Sequence, residues 1–189
     1  MRLKDIFKDI YKGVRIETDN SQEPLDAYVI ETKDVEACGI NYTKPEEPIK
    51  MKIKDKYFLR KDDIIIASIP SQATNHVGYC SEIENEKVII KKNFFILRNL
   101  YKDNYNPEFI AEYLEYFGIE EAKKNKSNNS FATIEIEEIE IPEIPIEKQN
   151  ELVSIFKPIN SRNNLYRKII NNCNAIKKIM ILEVIKDEK

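Results

Sequence analysis

The residue types that carry enzyme chemistry are sparse in this 189-residue chain, and they lack the spacing that catalysis requires. His76 is the only histidine, and no serine or cysteine stands in a pattern that predicts a nucleophilic triad with it. The four glycines do not form a phosphate-binding loop. The glutamates of residues 131–151 alternate with isoleucines, which favours a solvated edge over paired catalytic carboxylates. We therefore expect no catalytic residue, no metal site and no bound cofactor.

One stretch, Asp103–Phe109, resembles the Asn-Pro-Pro-aromatic loop of adenine methyltransferases, but its second proline is missing. The stretch is fully explained as a helix start, with Asn106 as the N-cap and Pro107 at the first helical position. The predicted helix ends at Gly118. Its apolar face consists of Phe109, Ile110, Tyr113, Leu114 and Phe117.

Charge is distributed unevenly along the chain. The formal net charge is −3, and residues 131–151 contribute −6 through seven glutamates and one lysine, so the remaining residues carry the difference of +3. Their cations fall into three clusters, which form either an anion-binding surface or an ordinary solvated face. The clusters are Lys50, Lys52, Lys54, Lys56, Arg60 and Lys61; Lys87, Lys91, Lys92 and Arg98; and Lys123, Lys124 and Lys126.

Composition also bears on the compartment. No apolar run approaches the roughly 20 residues that a membrane-spanning helix needs, and the first residues are amphipathic rather than a signal sequence. Cys38, Cys80 and Cys173 lie far apart, which predicts buried free thiols rather than a zinc site or a disulfide framework. The chain is therefore expected to be cytoplasmic.

Residues 1–146 have the pattern of a mixed α+β domain. Short apolar runs rich in β-branched and aromatic residues, bounded by Asp, Asn, Gly, Pro and Ser, predict strands in the same region as the helix that begins at Pro107. The predicted fold class is α+β, with a mixed sheet followed by a long C-terminal helical region. The strand-like runs are residues 27–32, 63–69, 77–83 and 87–98.

Residues 147–189 form a second, helical region. Pro158 is expected to divide it into a short helix and one of nearly thirty residues, about 40–45 Å long. Apolar residues recur every three or four positions, interrupted by Arg162 and Glu183, which predicts a seam that packs against a partner helix. The alternative is that the helix folds back onto its own domain. The seam residues are Leu152, Ile155, Ile159, Tyr166, Ile169, Cys173, Ile176 and Met180.

A strap with prolines at 142 and 145 connects the two regions and leads to Gln149 at the start of the helix. The prolines favour an extended path, and the amide of Gln149 is placed to satisfy free backbone groups. This Pro-x-x-Pro-x-x-x-Gln pattern, with five segments in the same order and spacing, resembles a target recognition domain of a type I restriction-modification DNA specificity subunit. The segments, which extend over nearly the whole chain, are residues 3–13, 28–40, 58–80, 88–98 and 136–156.

The resemblance implies a DNA-binding protein without catalytic activity. Members of this family carry two recognition domains and two spacer helices, whereas this chain has one of each and resembles half a subunit. Two copies are therefore expected to pair antiparallel through their C-terminal helices and to bind two inverted half-sites on double-stranded DNA. The resemblance further implies that the strap and helix bind methyltransferase subunits, which carry S-adenosylmethionine and connect the chain to the restriction subunit.

The resemblance also indicates which residues contact DNA. Variable loops between strands read bases in this family, and the loop of residues 70–76 concentrates hydrogen-bonding side chains, although ordinary turns are also polar. The candidates for base contact are Ser71, Gln72, Thr74, Asn75 and His76. The candidates for phosphate contact are Lys12, Arg15, Lys33, Lys91, Lys92 and Asn93, with Lys123, Lys124 and Lys126 as a further clamp.

Two other functions are compatible with this resemblance. In the first, the chain is a silent or truncated recognition cassette that is never assembled. In the second, it is an interaction module that pairs with the helices of specificity subunits without binding DNA. A DNA-modifying enzyme with methyltransferase activity in the same polypeptide is disfavoured, because the chain is short and lacks the required motifs.

Overall fold

The structure is a computed structural model that describes residues 1–17, 21–36, 39–42, 44–69, 76–83, 87–124 and 130–187. The chain divides into two compact units, Met1–Val153 and Ser154–Lys189, which we call the globular unit and the helical unit. Within the described ranges, no helix has the length and apolar character needed to cross a membrane.

The globular unit contains a four-stranded sheet and two small sheets. The main sheet has the order β1-β8-β5-β6, with every neighbouring pair antiparallel. β2 pairs with β7 in parallel, and β3 pairs with β4 antiparallel. The strands are β1 (Phe7–Lys12), β2 (Tyr28–Val29), β3 (Val35–Glu36), β4 (Gly39–Ile40), β5 (Ile64–Ala67), β6 (Val77–Tyr79), β7 (Val88–Ile89) and β8 (Phe94–Leu100).

Three short α-helices lie between β8 and the strap, and the long helix follows the strap. A π-helical turn, Leu114–Gly118, joins the first two α-helices into one continuous helical segment. The helices are α1 (Pro107–Tyr113), α2 (Ile119–Lys123), α3 (Thr133–Glu137) and α4 (Ile146–Asp187). This arrangement of mixed sheets and a long C-terminal helix confirms the predicted α+β class.

The central strands are buried on both faces of the main sheet. Because side chains alternate along a strand, Ile64 and Ile66 of β5 pack with α1 and α3, whereas Ile65 packs on the opposite face with Val88 and Ile90. A continuous apolar run is the sequence pattern of such a strand. The run of residues 63–69 therefore reflects burial from two sides.

The segment from Pro107 to Lys123 differs from its prediction. Asn106 caps α1 as predicted, since its side-chain oxygen accepts hydrogen bonds from the N–H groups of Glu108 and Phe109 at 2.9 and 3.2 Å. Gly118, however, does not end the helix but has helical dihedral angles within it. A Cβ at Gly118 would lie 2.9 Å from Leu114 and 3.2 Å from Ile139, so the glycine serves close packing.

The predicted apolar face of this helix is also partly wrong. Phe109, Ile110 and Leu114 are buried, but Phe117 is 63% exposed. The π-helical turn inserts one additional residue, which rotates the positions after it relative to those before it. Phe117 is thereby displaced from the buried face.

Two smaller predictions are wrong as well. The alternating isoleucines and glutamates do not form a regular solvated edge: Thr133–Glu137 is helical, and Ile134 is 58% exposed. Residues two positions apart share one face of a strand, but in a helix they point in different directions. Among the described cysteines, Cys80 is buried as predicted, but Cys173 is exposed on α4.

Pro158 does not divide the C-terminal region as predicted. α4 is one helix of 42 residues with Pro158 inside it. A proline removes one hydrogen bond, the one to the carbonyl four residues earlier, and both Pro158 and Ser154 are solvent-exposed. Water can therefore hydrate the carbonyl group, which lowers the cost of continuing the helix.

Candidate nucleic-acid interface

Four strand ends of the main sheet meet at one edge of the globular unit. β1 ends there at Lys12 and β5 at Ala67, while β6 begins there at Val77 and β8 at Phe94. The antiparallel registers of the three strand pairs bring these ends side by side. We call this edge, with the loops that leave it, the loop edge.

The turn before β8, residues 91–93, is held against the end of β1. The N–H of Lys92 donates to the carbonyl of Val14 at 2.8 Å, and Val14 pairs with Lys91 in a parallel bridge. The approach requires a glycine at position 13, because a Cβ there would collide with the backbone of Ile90 and Lys91. This contact brings the predicted residues Lys12 and Arg15 beside the turn.

A second turn, residues 31–34, packs on the first. The ammonium group of Lys91 forms an ion pair with Glu31. The side-chain amide of Asn93 donates to the hydroxyl of Thr32 at 3.4 Å. Lys33 follows Thr32 directly and is exposed. Six predicted phosphate-contacting residues therefore lie on three adjoining segments of the loop edge.

The predicted base-reading loop begins and ends at the same edge. At its beginning, the N–H of Ser68 donates to the carbonyl of Asn93 at 2.8 Å. At its end, a carboxylate oxygen of Glu115 accepts hydrogen bonds from the N–H groups of His76 and Val77, both at 2.8 Å. His76 is thus placed at the loop edge. The candidates Ser71, Gln72, Thr74 and Asn75 lie outside the described residues.

The third predicted cluster is not shown in contact with the loop edge. Lys123 ends α2 and Lys124 follows it directly. Lys124 lines a surface cleft with Phe117, while Lys126 lies outside the described residues. The chain returns to the loop edge further on, where the N–H of Phe131 donates to the carbonyl of Ser68 at 2.8 Å. A phosphate clamp by these lysines stays a prediction.

The cations of the loop edge differ in how far they are already neutralised. Lys91 pairs with Glu31, and Arg15 pairs with Glu17 at 3.0 Å on the exposed surface. Lys12 lies over the ring of Phe95, 4.9 Å from its centroid, a contact that leaves its charge unpaired. Lys33 and Lys92 have no ion-pair partner within the described part of the chain. Such exposed cations can bind phosphate groups.

Two residues that organise the loop edge were not found from the sequence. Glu31 holds Lys91 from 60 positions away, and Glu115 holds the end of the base-reading loop from 39 and 38 positions away. Both are single glutamates beside apolar neighbours, Ile30 for Glu31 and Leu114 for Glu115, and no local pattern marks them. Gly13 had a usable signal, since an isolated glycine at a strand end often marks a close backbone approach.

The strap continues the backbone pairing of the first residues. The N–H of Leu3 donates to the carbonyl of Ile139 at 3.0 Å, and the N–H of Ile141 donates to the carbonyl of Met1 at 2.7 Å. Beyond Ile141 the strap has no regular structure up to α4, and Pro142 and Pro145 lack the N–H groups that a further ladder would need. The strap is thus anchored at its beginning by backbone hydrogen bonds.

Gln149 anchors the other end of the strap. Its side chain is fully buried and accepts a hydrogen bond from the N–H of Asn106 at 2.8 Å. Its amide donates to the carbonyls of Asn104 and Ile144 at 2.9 and 2.7 Å. The sequence-based expectation that this amide satisfies free backbone groups is confirmed. One side chain ties the strap and α4 to the N-terminus of α1.

We expect Gln149→Leu to lower the free energy of unfolding by about 3 kcal/mol, because it leaves buried backbone donors and acceptors unpaired. Urea denaturation followed by circular dichroism measures this loss. Asn150→Ala is the matched control: it removes one exposed hydrogen bond to Asn106 and should cost less than about 1 kcal/mol. Equal losses for the two variants would contradict the assigned role of Gln149.

The predicted pairing seam lies on the exposed surface of α4. Ile155, Ile159, Tyr166 and Ile169 are each about half exposed, as are Ile176 and Met180, and Cys173 is also exposed. Leu152 is partly buried. With 3.6 residues per turn, all eight seam residues fall within an arc of about 120°. The arc is interrupted by Arg162, and a pairing role for it stays a prediction.

This fold is shared with solved structures, among them the following three. The S subunit of the type I restriction-modification system from M. genitalium has a TM-score of 0.62 and 16% identity, covering 93% of this chain and 42% of its own. The HsdS subunit from Thermoanaerobacter tengcongensis has a TM-score of 0.51 and 18% identity, covering 86% and 37%. A chain from a structural study of complex assembly and conformational transition in the type I R-M system has a TM-score of 0.58 and 19% identity, covering 86% and 38%.

No family model matches the chain, and no curated protein matches it. The structural likeness nevertheless extends over most of the chain's residues. It holds for two S subunits from different organisms. The chain has the fold of the S subunits of type I restriction-modification systems. It spans 37 to 42% of the length of the matched chains, and it contains one globular unit and one long helix.

Proposed function

We propose that this chain is the DNA sequence-recognition subunit of a type I restriction-modification system, in a half-length form without catalytic activity. The loop edge carries the proposal. On the fold of an S subunit, it gathers exposed cations around the two anchors of a polar loop. Phosphate contacts by such cations position a domain on DNA, and polar side chains between them can reach base edges.

Two copies pair through the seam of α4 in this proposal. A single recognition domain reads one half-site, and a two-fold arrangement of two domains reads two identical inverted half-sites at a fixed distance. The apolar arc on α4 supports the pairing, because large apolar side chains along a whole helix face are costly in water. The strap and helix bind methyltransferase subunits, which supply S-adenosylmethionine and connect the assembly to the restriction subunit.

A gel-shift experiment with the purified methyltransferase subunit tests the function. A sequence-specific complex with DNA is the expected result. Failure to form any complex would identify a silent cassette, and a protein complex without DNA would identify an interaction module. Methylome sequencing of a host that carries the intact system supplies the target for this experiment, and an asymmetric target would contradict pairing of identical copies.

The cations of the loop edge should contribute unequally to DNA binding. We expect Lys92→Ala to reduce the salt-dependence slope by about 0.9, the value for one phosphate contact, and Lys91→Ala to reduce it less, because Glu31 already neutralises Lys91. Glu31→Gln should increase affinity by releasing Lys91. Fluorescence anisotropy at several salt concentrations measures these changes.

Lys8→Ala is the matched control for these variants. Lys8 is an exposed lysine on the same strand as Lys12, but it lies near the opposite end of the strand from the loop edge. Its replacement should leave the slope unchanged. A slope that is equally reduced by Lys8→Ala and Lys92→Ala would argue against the loop edge as the DNA-binding surface.

A further inference from the structure

The last turns of α4 are apolar on every side. Six large apolar side chains occur within seven consecutive positions, and each is 47 to 61% exposed. Successive residues of an α-helix are rotated by about 100°, so these positions surround the helix axis. A helix that is apolar all round is normally buried all round. The six residues are Ile179, Met180, Ile181, Leu182, Val184 and Ile185.

Pairing through the seam covers only part of this segment. Met180 and Val184 lie within the arc of the seam, whereas Leu182 lies on the opposite side of the helix, and Ile179 and Ile185 are each about 120° from the centre of the arc. A single partner helix contacts one arc. Leu182, Ile179 and Ile185 therefore need a second surface to cover them.

Antiparallel pairing determines which surface is within reach. In such a pair, the end of one α4 lies beside the beginning of the other. The beginning of α4 is fixed to its own globular unit, where Gln149 is fully buried and Val153 is 5% exposed. The end of each helix consequently lies close to the globular unit of the other copy. This step rests on the pairing in the proposed function.

Among its described residues, the globular unit has one adjoining pair of exposed aromatic residues. Tyr116 and Phe117 are 56 and 63% exposed, and the ring of Phe117 stacks on Tyr113 with centroids 5.8 Å apart. With Tyr113, Glu120, Glu121 and Lys124 they line a surface cleft, and we call these six residues the aromatic surface. Other exposed large apolar residues in the described part of this unit, Met1, Ile69, Tyr101 and Ile134, have no such sequence neighbour.

Charge makes the two surfaces complementary. An adjoining cleft shares Glu121 with the aromatic surface, and Gly118, Ala122 and Ile139 also line it. Three further glutamates complete its lining, namely Glu135, Glu140 and Glu138, of which Glu138 is paired with Arg2 and Lys4. On α4, Lys177 and Lys178 come directly before the apolar segment, and Lys178 lies outside the arc of the seam. The helix end thus presents a cation beside apolar residues to a surface of aromatic residues on which two glutamates outnumber one lysine.

We propose that the end of α4, residues 177–185, docks on the aromatic surface of a second copy. The contact buries Leu182, Ile179 and Ile185 against Tyr116 and Phe117. It also orients the globular unit of each copy relative to the paired helices. The paired helices then set the distance between the two recognition domains, and the docked helix ends set their rotation.

Sedimentation analysis of the full chain tests this contact through the dissociation constant of the pair. Leu182→Ser should raise that constant by about tenfold to hundredfold, because one apolar side chain per copy loses its cover. Leu165→Ser is the matched control, since Leu165 is similarly exposed but lies in the middle of the helix. Phe117→Ser should weaken pairing as Leu182→Ser does, whereas Tyr101→Ser should not.

A charge exchange identifies the receiving surface. Lys178→Glu should weaken pairing, and the double variant Lys178→Glu with Glu121→Lys should restore it. An unchanged constant for Leu182→Ser or Phe117→Ser in a chain that still dimerises would overturn the docking but leave the pairing intact. A wild-type chain that is monomeric at tens of micromolar would overturn both. Loss of methyltransferase binding, but not of pairing, in Phe117→Ser would assign the aromatic surface to that partner and overturn the proposal.

Discussion

Replacing Arg98 with methionine should lower the free energy of unfolding by about 3–5 kcal/mol. Arg98 and Asp63 are 5% and 0% exposed, and their side chains are joined by two hydrogen bonds of 2.7 and 2.6 Å. The guanidinium group also donates to the carbonyls of Lys56 and Phe58 at 3.0 and 2.7 Å. Its removal leaves a buried carboxylate without its cation. Chemical denaturation of the purified variant measures the loss.

The loss should depend on pH in a defined direction. Burial raises the pKa of Asp63, although Arg98 opposes the rise, so removal of Arg98 should raise this pKa further. A carboxyl group with a raised pKa binds its proton more tightly in the folded protein, and stability falls as the pH rises through that pKa. The deficit of Arg98→Met should therefore be smaller near about pH 5 than near about pH 8.

Two further variants complete this test. Arg60→Met removes a cation whose ion pair with Asp55 is largely exposed, and it should cost less than about 1 kcal/mol. The double variant Arg98→Met with Asp63→Leu should recover much of the loss, because no buried charge remains. A small loss in Arg98→Met, equal to that of Arg60→Met, would contradict the assigned role of the buried pair. Arg98 and Asp63 lie toward the other ends of β8 and β5 from the loop edge. Their replacement is therefore expected to change the free energy of unfolding rather than DNA contact.

Replacing Ile169 with aspartate should raise the dissociation constant of the paired chain by about a thousandfold or more. The seam extends from Leu152 to Met180, so its centre lies near Tyr166. In an antiparallel pair, the two-fold axis passes near this centre, and Ile169 of each copy lies close to it. The substitution removes two apolar side chains and places two like charges near one another. Light scattering on the eluting protein measures the mass directly.

Asn171→Asp is the matched control for this substitution. It introduces the same residue two positions later, on the side of α4 away from the seam, where the side chain is exposed. Pairing should be unchanged. If both variants remain dimeric, the seam is not the pairing surface. If Ile169→Asp becomes monomeric, its affinity for a two-part DNA target should fall sharply, while contact with one half-site persists.

These expectations connect pairing to DNA recognition. In the proposed assembly, each globular unit contributes one loop edge, and the long helices hold two loop edges apart. α4 has 42 residues, and at 1.5 Å per residue it extends for about 63 Å. A change in the seam should therefore affect the spacing and symmetry of the target, whereas a change at Lys92 should affect affinity for every sequence. The two classes of variant separate positioning from contact.

The sequence by itself determined those features that depend on neighbouring residues. The apolar run before Ser68 predicted a strand, and Asn106 with Pro107 predicted the start of α1. The strap pattern indicated an extended path that ends at Gln149, whose amide was expected to satisfy backbone groups. The apolar repeat after residue 146 predicted the C-terminal helix. Each of these signals comes from local geometry and hydrophobic periodicity.

Other features were decided only by the tertiary structure. Gly118 has the pattern of a helix end, but close packing against Leu114 and Ile139 keeps it within the helix. Pro158 has the pattern of a break, but its exposed position lets α4 continue. Lys91 pairs with a residue 60 positions away, and Arg98 pairs with one 35 positions away. Gln149 bonds to residues 43 and 45 positions away, and only its hydrogen bond to Ile144 is local. Pairings at such separations follow from how strands and loops pack together, and no short stretch of sequence contains that information.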